Sequence, residues 1–250
     1  MRRTAILIAL SLCFFVSQAQ VIDTETKRTK REGEGWTGQI DLGFTFVRNT
    51  NDIRTLTGAS DINWTRSRNT LLLLNQYRRM QVNGDNIQNQ AFQHVRFNHQ
   101  LRRYLIPEAF VQAQYDQLWL IDLRVLAGAG PRFAILEKDS ANIHFGVLMM
   151  YEYENITGGQ ERNRDVRVST YLSGNVIVNE HFAANHITYY QPRIDDWSDF
   201  RISSSTNLRF TIIKDRLAFK TGLDFRYDSR PPEDLITTFL TWTNGLSLGF

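Results

Sequence analysis

The sequence predicts an all-β fold, namely a closed antiparallel transmembrane β-barrel of twelve strands. Apolar and polar residues alternate along most of the chain, which is typical of strands with one apolar and one polar face. Mean hydropathy is −0.35, as expected when only every second residue of a strand faces lipid. The last predicted strand also stops on an aromatic residue, Phe250.

The N-terminal segment has the order of a secretory signal peptide. A basic start precedes an apolar run over residues 5–16 and a small-residue site that ends at Ala19. We therefore expect a signal peptide over residues 1–19, because the run is shorter than the roughly 18 apolar residues of a spanning helix. Lipidation of Cys13 is disfavoured, since the preceding residue is the bulky Leu12. Cys13 is the only cysteine, so the chain after cleavage has no disulfide, thiol nucleophile or cysteine metal ligand.

Two further segments follow the signal peptide. Residues 20–35 are polar and include the basic run 27–31, which we expect to be a solvated periplasmic tail. Residues 36–250 carry the alternation and are expected to form the barrel.

The alternation begins at Trp36 and predicts six strands in the first half of the chain. In the first strand, Ile40 and Leu42 lie on the face opposite Gln39 and Asp41. The next five strands are predicted over residues 55–64, 69–80, 91–101, 109–116 and 122–135. A run of four leucines obscures the facing of the third strand, whereas glutamines alternate with apolar residues in the fifth.

Six more strands are predicted in the second half of the chain. Five cover residues 142–153, 166–178, 182–191, 200–212 and 217–228, and the last ends at Phe250. The ninth strand is the weakest, while in the tenth Phe200, Ile202 and Phe210 alternate clearly with Ser203 and Arg209.

Two alternatives to a twelve-stranded barrel are a ten-stranded barrel and a soluble β-sandwich. Twelve is even, as a single-chain barrel with both termini in the periplasm requires, and long polar connections such as 154–165 and 191–199 follow odd strands. Ten strands is the rival count, because strands three and nine are the least secure. A soluble β-sandwich would have strands of about 5 or 6 residues, whereas spanning strands need about 9 to 11.

Three segments carry a resemblance to a known family. They are residues 36–43 with Gly38 and Gly43, the strand 122–135 with its Gly-Ala-Gly sequence, and the loop 228–234. Together they resemble a bacterial family of salt-induced outer-membrane proteins, an uncharacterised family of outer-membrane β-barrels of unknown function. The resemblance covers the chain after the signal peptide and implies its fold and its location in the bacterial outer membrane, but no activity.

The C-terminal strand is similar to the signal that the barrel-assembly machinery recognises. Its apolar face carries Trp242, Leu246, Leu248 and Phe250. This resemblance implies two partners, the assembly machinery and the lipid of the outer membrane. Nucleic acid is not expected as a partner, because the formal charge is only +3.

Charged residues of both signs fall on the polar face of the predicted strands. The residues expected to face the lumen are Asp41, Asp116, Arg124, Arg132, Glu152, Arg167, Arg201, Arg209, Lys220, Asp224 and Arg226. They support two interpretations: an ion-pair network that fills and stiffens a narrow lumen, or a narrow, weakly anion-preferring passage for small solutes. The first makes the protein a structural or osmotic-stress component of the envelope.

An enzyme is not expected, although one alternative was kept. Some twelve-stranded outer-membrane proteins are phospholipases with Ser and His on the outer wall, and here His186 and Ser204 lie on neighbouring predicted strands. A lipid-modifying enzyme, a phospholipase or a lipid A hydrolase, is therefore the alternative function. No catalytic, cofactor-binding or metal-ligating residue is assigned. His94 and His99, five apart on a strand, would face opposite sides.

Overall fold

The computed structural model describes residues 34–156, 162–214, 216–232 and 235–249. The expected signal peptide, almost all of the expected tail and Phe250 lie outside the described residues. The described residues form one antiparallel sheet of twelve strands in sequence order, which confirms the twelve-strand count. The strands are β1 (Gly35–Arg48), β2 (Asp52–Arg66), β3 (Asn69–Val82), β4 (Asp85–His99), β5 (Leu105–Asp116), β6 (Ile121–Lys138), β7 (Ala141–Ile156), β8 (Arg162–Asn179), β9 (Phe182–Pro192), β10 (Phe200–Ile213), β11 (Leu217–Asp228) and β12 (Thr238–Leu248).

Several strands are longer than alternation predicted, and β4 shows why. Asn83 and Gly84 both have positive φ, at 54° and 96°, which gives the tight two-residue turn favoured in hairpins. Pairing therefore resumes at Asp85, through polar residues that looked like loop, and β4 ends at His99 rather than at residue 101. The expected loop 154–165 is likewise shortened, because β7 continues to Ile156 and β8 begins at Arg162.

The two faces of the sheet differ sharply. One face, here called the inner face, carries the buried side chains, both apolar and charged, such as Leu72, Leu148, Glu152 and Arg167. The opposite, outer face carries exposed apolar side chains on strands from β1 to β12. They include Leu42, which is 84% exposed. A soluble monomer rarely exposes so large an apolar surface, so the outer face is suited to a non-aqueous environment.

Glycines on the inner face let large rings lie flat against the sheet. A Cβ at Gly146 would lie 2.1 Å from the Tyr171 ring, and one at Gly128 would lie 2.6 Å from the Phe110 ring. Both rings belong to the same buried cluster, together with Leu126. The Gly-Ala-Gly strand therefore serves packing across the interior.

The sheet curls so that distant strands meet across its inner face. Asp116 caps a 3₁₀ turn, Gln117–Trp119, that follows β5. The ring of Trp119 lies 4.0 Å from that of Phe239 in β12, and the guanidinium of Arg226 in β11 lies 4.9 Å over Trp119. The last two strands thus face the β5–β6 connection across the interior.

The ladder runs without interruption from β1 to β12, and among the described residues no pairing joins those two edge strands. In the first hairpin, Trp36 and Trp64 are direct partners, and their ring centroids lie 6.2 Å apart. Within the described part of the chain, no helix has the length and hydropathy of a membrane span.

Candidate functional site

The inner face has two ends, and the ion pairs gather at one of them. The termini end is where β1 begins and β12 ends, and the far end is the opposite one. At the far end, three arginines and four carboxylates from five strands and a loop form what we call the ion-pair belt. Its members are Arg124, Arg167, Arg201, Glu152, Glu154, Asp199 and Asp228.

Glu152 in β7 lies at the centre of the ion-pair belt. Its side chain is 1% exposed and contacts three arginines: Arg167 Nε lies 2.8 Å from Oε2, Arg124 Nε lies 3.0 Å from Oε1, and Arg201 also bonds Oε1. Because Arg201 belongs to β10 and Glu152 to β7, this contact spans three strands. The contact therefore crosses the interior of the curled sheet and occupies part of it at this level.

The guanidinium of Arg167 donates hydrogen bonds to several acceptors at once. Besides Glu152, its guanidinium bonds Asp199 Oδ1 at 2.9 Å and the carbonyl of Gln191 at 3.2 Å. A planar guanidinium is suited to several simultaneous acceptors. The loop after β9 is thereby tied into the belt.

A second polar chain crosses the interior below the belt, closer to the termini end. Tyr171 in β8 donates its hydroxyl to Glu108 Oε1 in β5 at 2.6 Å, and Arg96 lies 3.3 Å from the same oxygen. Arg96 also donates to His94 Nε2 at 3.1 Å. All four side chains are buried, so they fill part of the interior at this level. A cavity of about 180 Å³ extends from this layer toward the far end and is lined by Phe92 and Phe110 as well as by Arg124, Glu154 and Arg201 of the belt.

The termini end is open by contrast. A cavity of about 940 Å³, here called the basic vestibule, lies between β7–β12 at this end. Its lining includes the carboxamides of Asn142, Asn175, Asn185 and Asn207 together with Arg209 and Lys220. Arg209 and Lys220 are direct cross-strand partners and both are exposed, and among the described residues neither forms an ion pair.

The eleven residues expected in the lumen all lie on the inner face, but the structure divides them. Arg124, Glu152, Arg167 and Arg201 meet in the belt, and Arg209 and Lys220 line the vestibule. Asp116 and Arg226 flank the Trp119 contact, and Arg132 is buried in β6. Asp41 is exposed on the edge strand β1, where Gln39 donates to it at 2.8 Å, and Asp224 is half-buried in β11.

Sequence reasoning missed several charged or ionisable members of the interior. They include Arg96, Glu108, Glu154, Asp165, Asp199 and Asp228, together with His94. Glu154 shares a face with Glu152 two residues earlier, and this i, i+2 spacing was the signal that could have placed it. Asp199 lies in a loop, where periodicity gives no direction.

The outer face of β9–β11 carries two aromatic clusters. At the far end, the tilted rings of Tyr190, Phe200 and Tyr227 lie side by side, with centroid spacings of 5.6 and 5.5 Å. At the termini end, Phe182 and Phe210 lie 4.9 Å apart and Phe219 lies 6.2 Å from Phe210. Tyr190 is eight residues after Phe182, or about 27 Å along the strand at about 3.4 Å per residue, a length comparable with an apolar band about 25 Å tall between aromatic girdles.

Between these aromatic clusters, four polar side chains interrupt the apolar wall. His186 Nδ1 lies 2.8 Å from Thr206 Oγ1, and His186 Nε2 lies 2.9 Å from Thr188 Oγ1. Thr188 Oγ1 in turn lies 2.8 Å from Ser204 Oγ. We call these four residues the outer-wall cluster. It contains the His186 and Ser204 that the sequence singled out, but Thr188 stands between them.

The loop between β9 and β10 is held to the one after β11. Arg230 Nη2 lies 2.7 Å from Asp196 Oδ2. The hydroxyl and the amide of Ser198 donate to Asp196, and these bonds, followed by the effect of Arg230, lower the pKa of Asp196 below its usual range.

Among the described residues no group of three or more His, Cys, Asp and Glu side chains is arranged to hold a metal ion.

Comparisons with known proteins find a matching family model and similar solved structures. Residues 40–250 match the family model described as "Protein of unknown function, DUF481". No curated protein matches the chain in sequence. Among solved structures, that of the NanC porin in a rhombohedral crystal form aligns with a TM-score of 0.45 and 10% identity, over 86% of this chain and 98% of that one.

Proposed function

Since this chain belongs to the family described as "Protein of unknown function, DUF481", a family of uncharacterised outer-membrane β-barrels, we propose that it is a structural component of the outer membrane whose lumen is blocked at the far end. The observation that carries this proposal is the buried ion-pair belt, in which Glu152 and Arg167 are 1% and 2% exposed. A network of paired charges across this level of the lumen would hold the strands together and oppose the passage of hydrated ions.

Closure of the sheet is part of the proposal. An open sheet would leave the backbone groups of β1 and β12 without partners, which is untenable in lipid. The contact of Trp119 with Phe239 already brings β12 across the interior. We propose that β12 pairs with β1 in the membrane and that both termini lie in the periplasm.

Disulfide trapping tests closure. The only natural cysteine is Cys13, so Leu42→Cys can be combined in turn with Leu240→Cys, Trp242→Cys and Leu246→Cys without background. A closed barrel cross-links at least one of these pairs in membranes. The pair Leu223→Cys with Trp242→Cys, direct partners in the register, is the positive control. Cross-linking of the control alone would contradict closure.

Conductance tests the blocked lumen. The refolded protein, shown to be closed by heat-modifiable migration on a gel, is placed in planar bilayers. We expect no sustained current from the natural sequence. Current should appear in Arg201→Ala, which removes the contacts from β10 to Glu152 and Glu154. Steady open channels in the natural sequence would contradict the structural role.

A narrow passage for small solutes is the second candidate function. It is favoured by the basic vestibule, whose Arg209 and Lys220 would attract anions. On this candidate, discrete current steps occur in the natural sequence, and Arg209→Glu shifts ion selectivity toward cations. Absence of steps from a closed barrel would exclude it.

A further inference from the structure

We propose that the outer-wall cluster is a hydrolytic site for acyl esters of membrane lipids, with Thr188 as nucleophile and His186 as general base. The proposal shares with the proposed function only the premise that the outer face meets lipid. It stands on the position of the cluster, on its hydrogen bonds and on its depth between the two aromatic clusters.

The position of the cluster calls for a function. The sheet itself does not need these side chains, because Ile187 and Ser205 on the inner face pack the interior at the same level. An ionisable side chain inside the apolar band of a membrane protein is costly to keep and usually marks a functional site. His186 is moreover exposed, whereas the imidazole of His94 is buried on the inner face.

The hydrogen bonds bring the imidazole of His186, a base, within reach of the Thr188 hydroxyl. A neutral imidazole donates through one ring nitrogen and accepts through the other. When Nδ1–H donates to Thr206 Oγ1, Nε2 accepts the proton of the Thr188 hydroxyl at 2.9 Å. This is the arrangement of an activated nucleophile: a hydroxyl within reach of a base, and a third group that orients the base. Thr206 is thus a positioning residue.

Ser204 supplies a hydrogen-bond donor for the oxyanion, which the backbone cannot supply. The backbone N–H groups of neighbouring strands here belong to the ladder, so an oxyanion must be stabilised by side chains. The Ser204 hydroxyl lies 2.8 Å from the attacking oxygen and can turn to donate to the oxygen of a bound ester. A catalytic constellation of this kind needs neither a cofactor nor a charged third member.

The depth of the site matches ester bonds. Thr188 lies two residues from Tyr190, about 7 Å along the strand. Tyr190 belongs to the aromatic cluster at the far end, and such aromatic rings lie at the level of lipid headgroups. An ester just below the headgroup therefore meets Thr188, with its acyl chain along the apolar wall toward Phe182.

The reaction is a two-step hydrolysis. Thr188 Oγ1 bonds to the ester carbonyl carbon and gives its proton to His186 Nε2. The carbon–oxygen bond to the alcohol then breaks, and the alcohol takes that proton. Water adds to the acyl-threonine, passes a proton to His186, and releases the fatty acid as Thr188 regains its proton. Water is the only co-reactant.

Fatty-acid release tests the proposal. The refolded full chain, checked for closure by heat-modifiable migration, is incubated in mixed micelles containing either a diacyl glycerophospholipid or lipid A. These two arms distinguish the two sources of acyl ester. We expect release from at least one, with Thr188→Val lowering the rate by about 100-fold or more. Thr221→Val, which removes an outer-face hydroxyl bonded to Trp242, is the matched control and should keep the rate.

Two further measurements separate catalysis from structure. A fluorophosphonate probe should label Thr188, as found by mass spectrometry, and should not label the His186→Asn variant. Thr206→Val should change the pH profile of the rate, and Thr206→Ser should restore it. A closed barrel that releases no fatty acid from either lipid, or a Thr188→Val variant that keeps the natural rate, would overturn the hydrolytic site while leaving the proposed structural role intact.

Discussion

Arg201 and Arg209 lie on the same face of β10, eight residues apart, yet their surroundings differ completely. Arg201 lies opposite Asp228 of β11 and bonds it at 2.8 Å, within the buried belt. Arg209 lies opposite Lys220 of the same strand, at the edge of the open vestibule. One pair of strands thus carries a neutral, closed end and a cationic, open end. Charge pairing, rather than charge content, decides which end of the interior is filled.

Breaking the belt should produce the largest effect. Glu152→Gln removes the buried carboxylate that three arginines share, so we expect a loss of about 3–5 kcal/mol in the free energy of unfolding. Denaturant unfolding in detergent micelles measures it. Glu180→Gln, at an exposed turn with a side chain 62% exposed, is the control and should lose less than about 1 kcal/mol. Equal losses would mean that the belt contributes no more than a surface pair.

The layer between the two ends can be tested through a glycine. Gly146→Ala forces the Tyr171 ring away from the sheet and from Glu108, and we expect it to cost about 1–3 kcal/mol of unfolding free energy. Gly58→Ala meets nothing closer than 3.6 Å and serves as control. If both variants unfold alike, the flat packing of Tyr171 does not hold this layer together.

Introducing an opposite-charge pair into the basic vestibule should stabilise the folded protein slightly. Lys220→Asp turns a like-charged cross-strand pair into an opposite one, which we expect to raise the free energy of unfolding by about 0.5–1 kcal/mol. Lys220→Gln removes only the repulsion and should gain less. A loss of stability in both variants would contradict repulsion between Arg209 and Lys220 in the folded protein.

The smallest effect concerns the loops at the far end. The pKa of Asp196 is lowered in the folded protein, so its contribution to loop stability is present above the unfolded pKa of about 3.9 and is lost as pH falls through the folded pKa. We expect Ser198→Ala to raise the Asp196 pKa more than Arg230→Gln, since the Ser198 bonds have the larger effect. Titration of the Asp196 carboxyl by NMR measures both pKa changes. The reverse order would mean that Arg230, rather than Ser198, has the larger effect on the Asp196 pKa.

Much of the fold follows from the alternation of apolar and polar residues. Where the predicted strand bounds differ from the structure, the difference has a physical cause. Strand ten was clear in the sequence because apolar Phe200, Ile202 and Phe210 mark one face, and β10 spans Phe200–Ile213. β4 was misplaced because a hairpin with polar strands next to Asn83 and Gly84 has no apolar face to reveal it. Membership of the family confirms the resemblance first seen in the Gly-Ala-Gly strand.

The candidate sites were only partly accessible from sequence. Period two places Glu152 and Arg201 on one face, but their contact spans three strands and depends on the curl of the sheet. The sequence placed His186 and Ser204 on neighbouring strands. It could not reveal that Thr188 bridges them, because that depends on the register between β9 and β10.

The strictly sequential order of the strands also has a kinetic consequence. Every pairing from β1 to β12 joins strands that are neighbours in the chain, so eleven hairpins form with little loss of loop entropy. On the proposed closure, the last seam must join Gly35–Arg48 to Thr238–Leu248, the greatest sequence separation in the molecule. We expect pairing of these two strands to be the slow step of folding. A catalyst of assembly that binds the final strand would then accelerate the rate-limiting step.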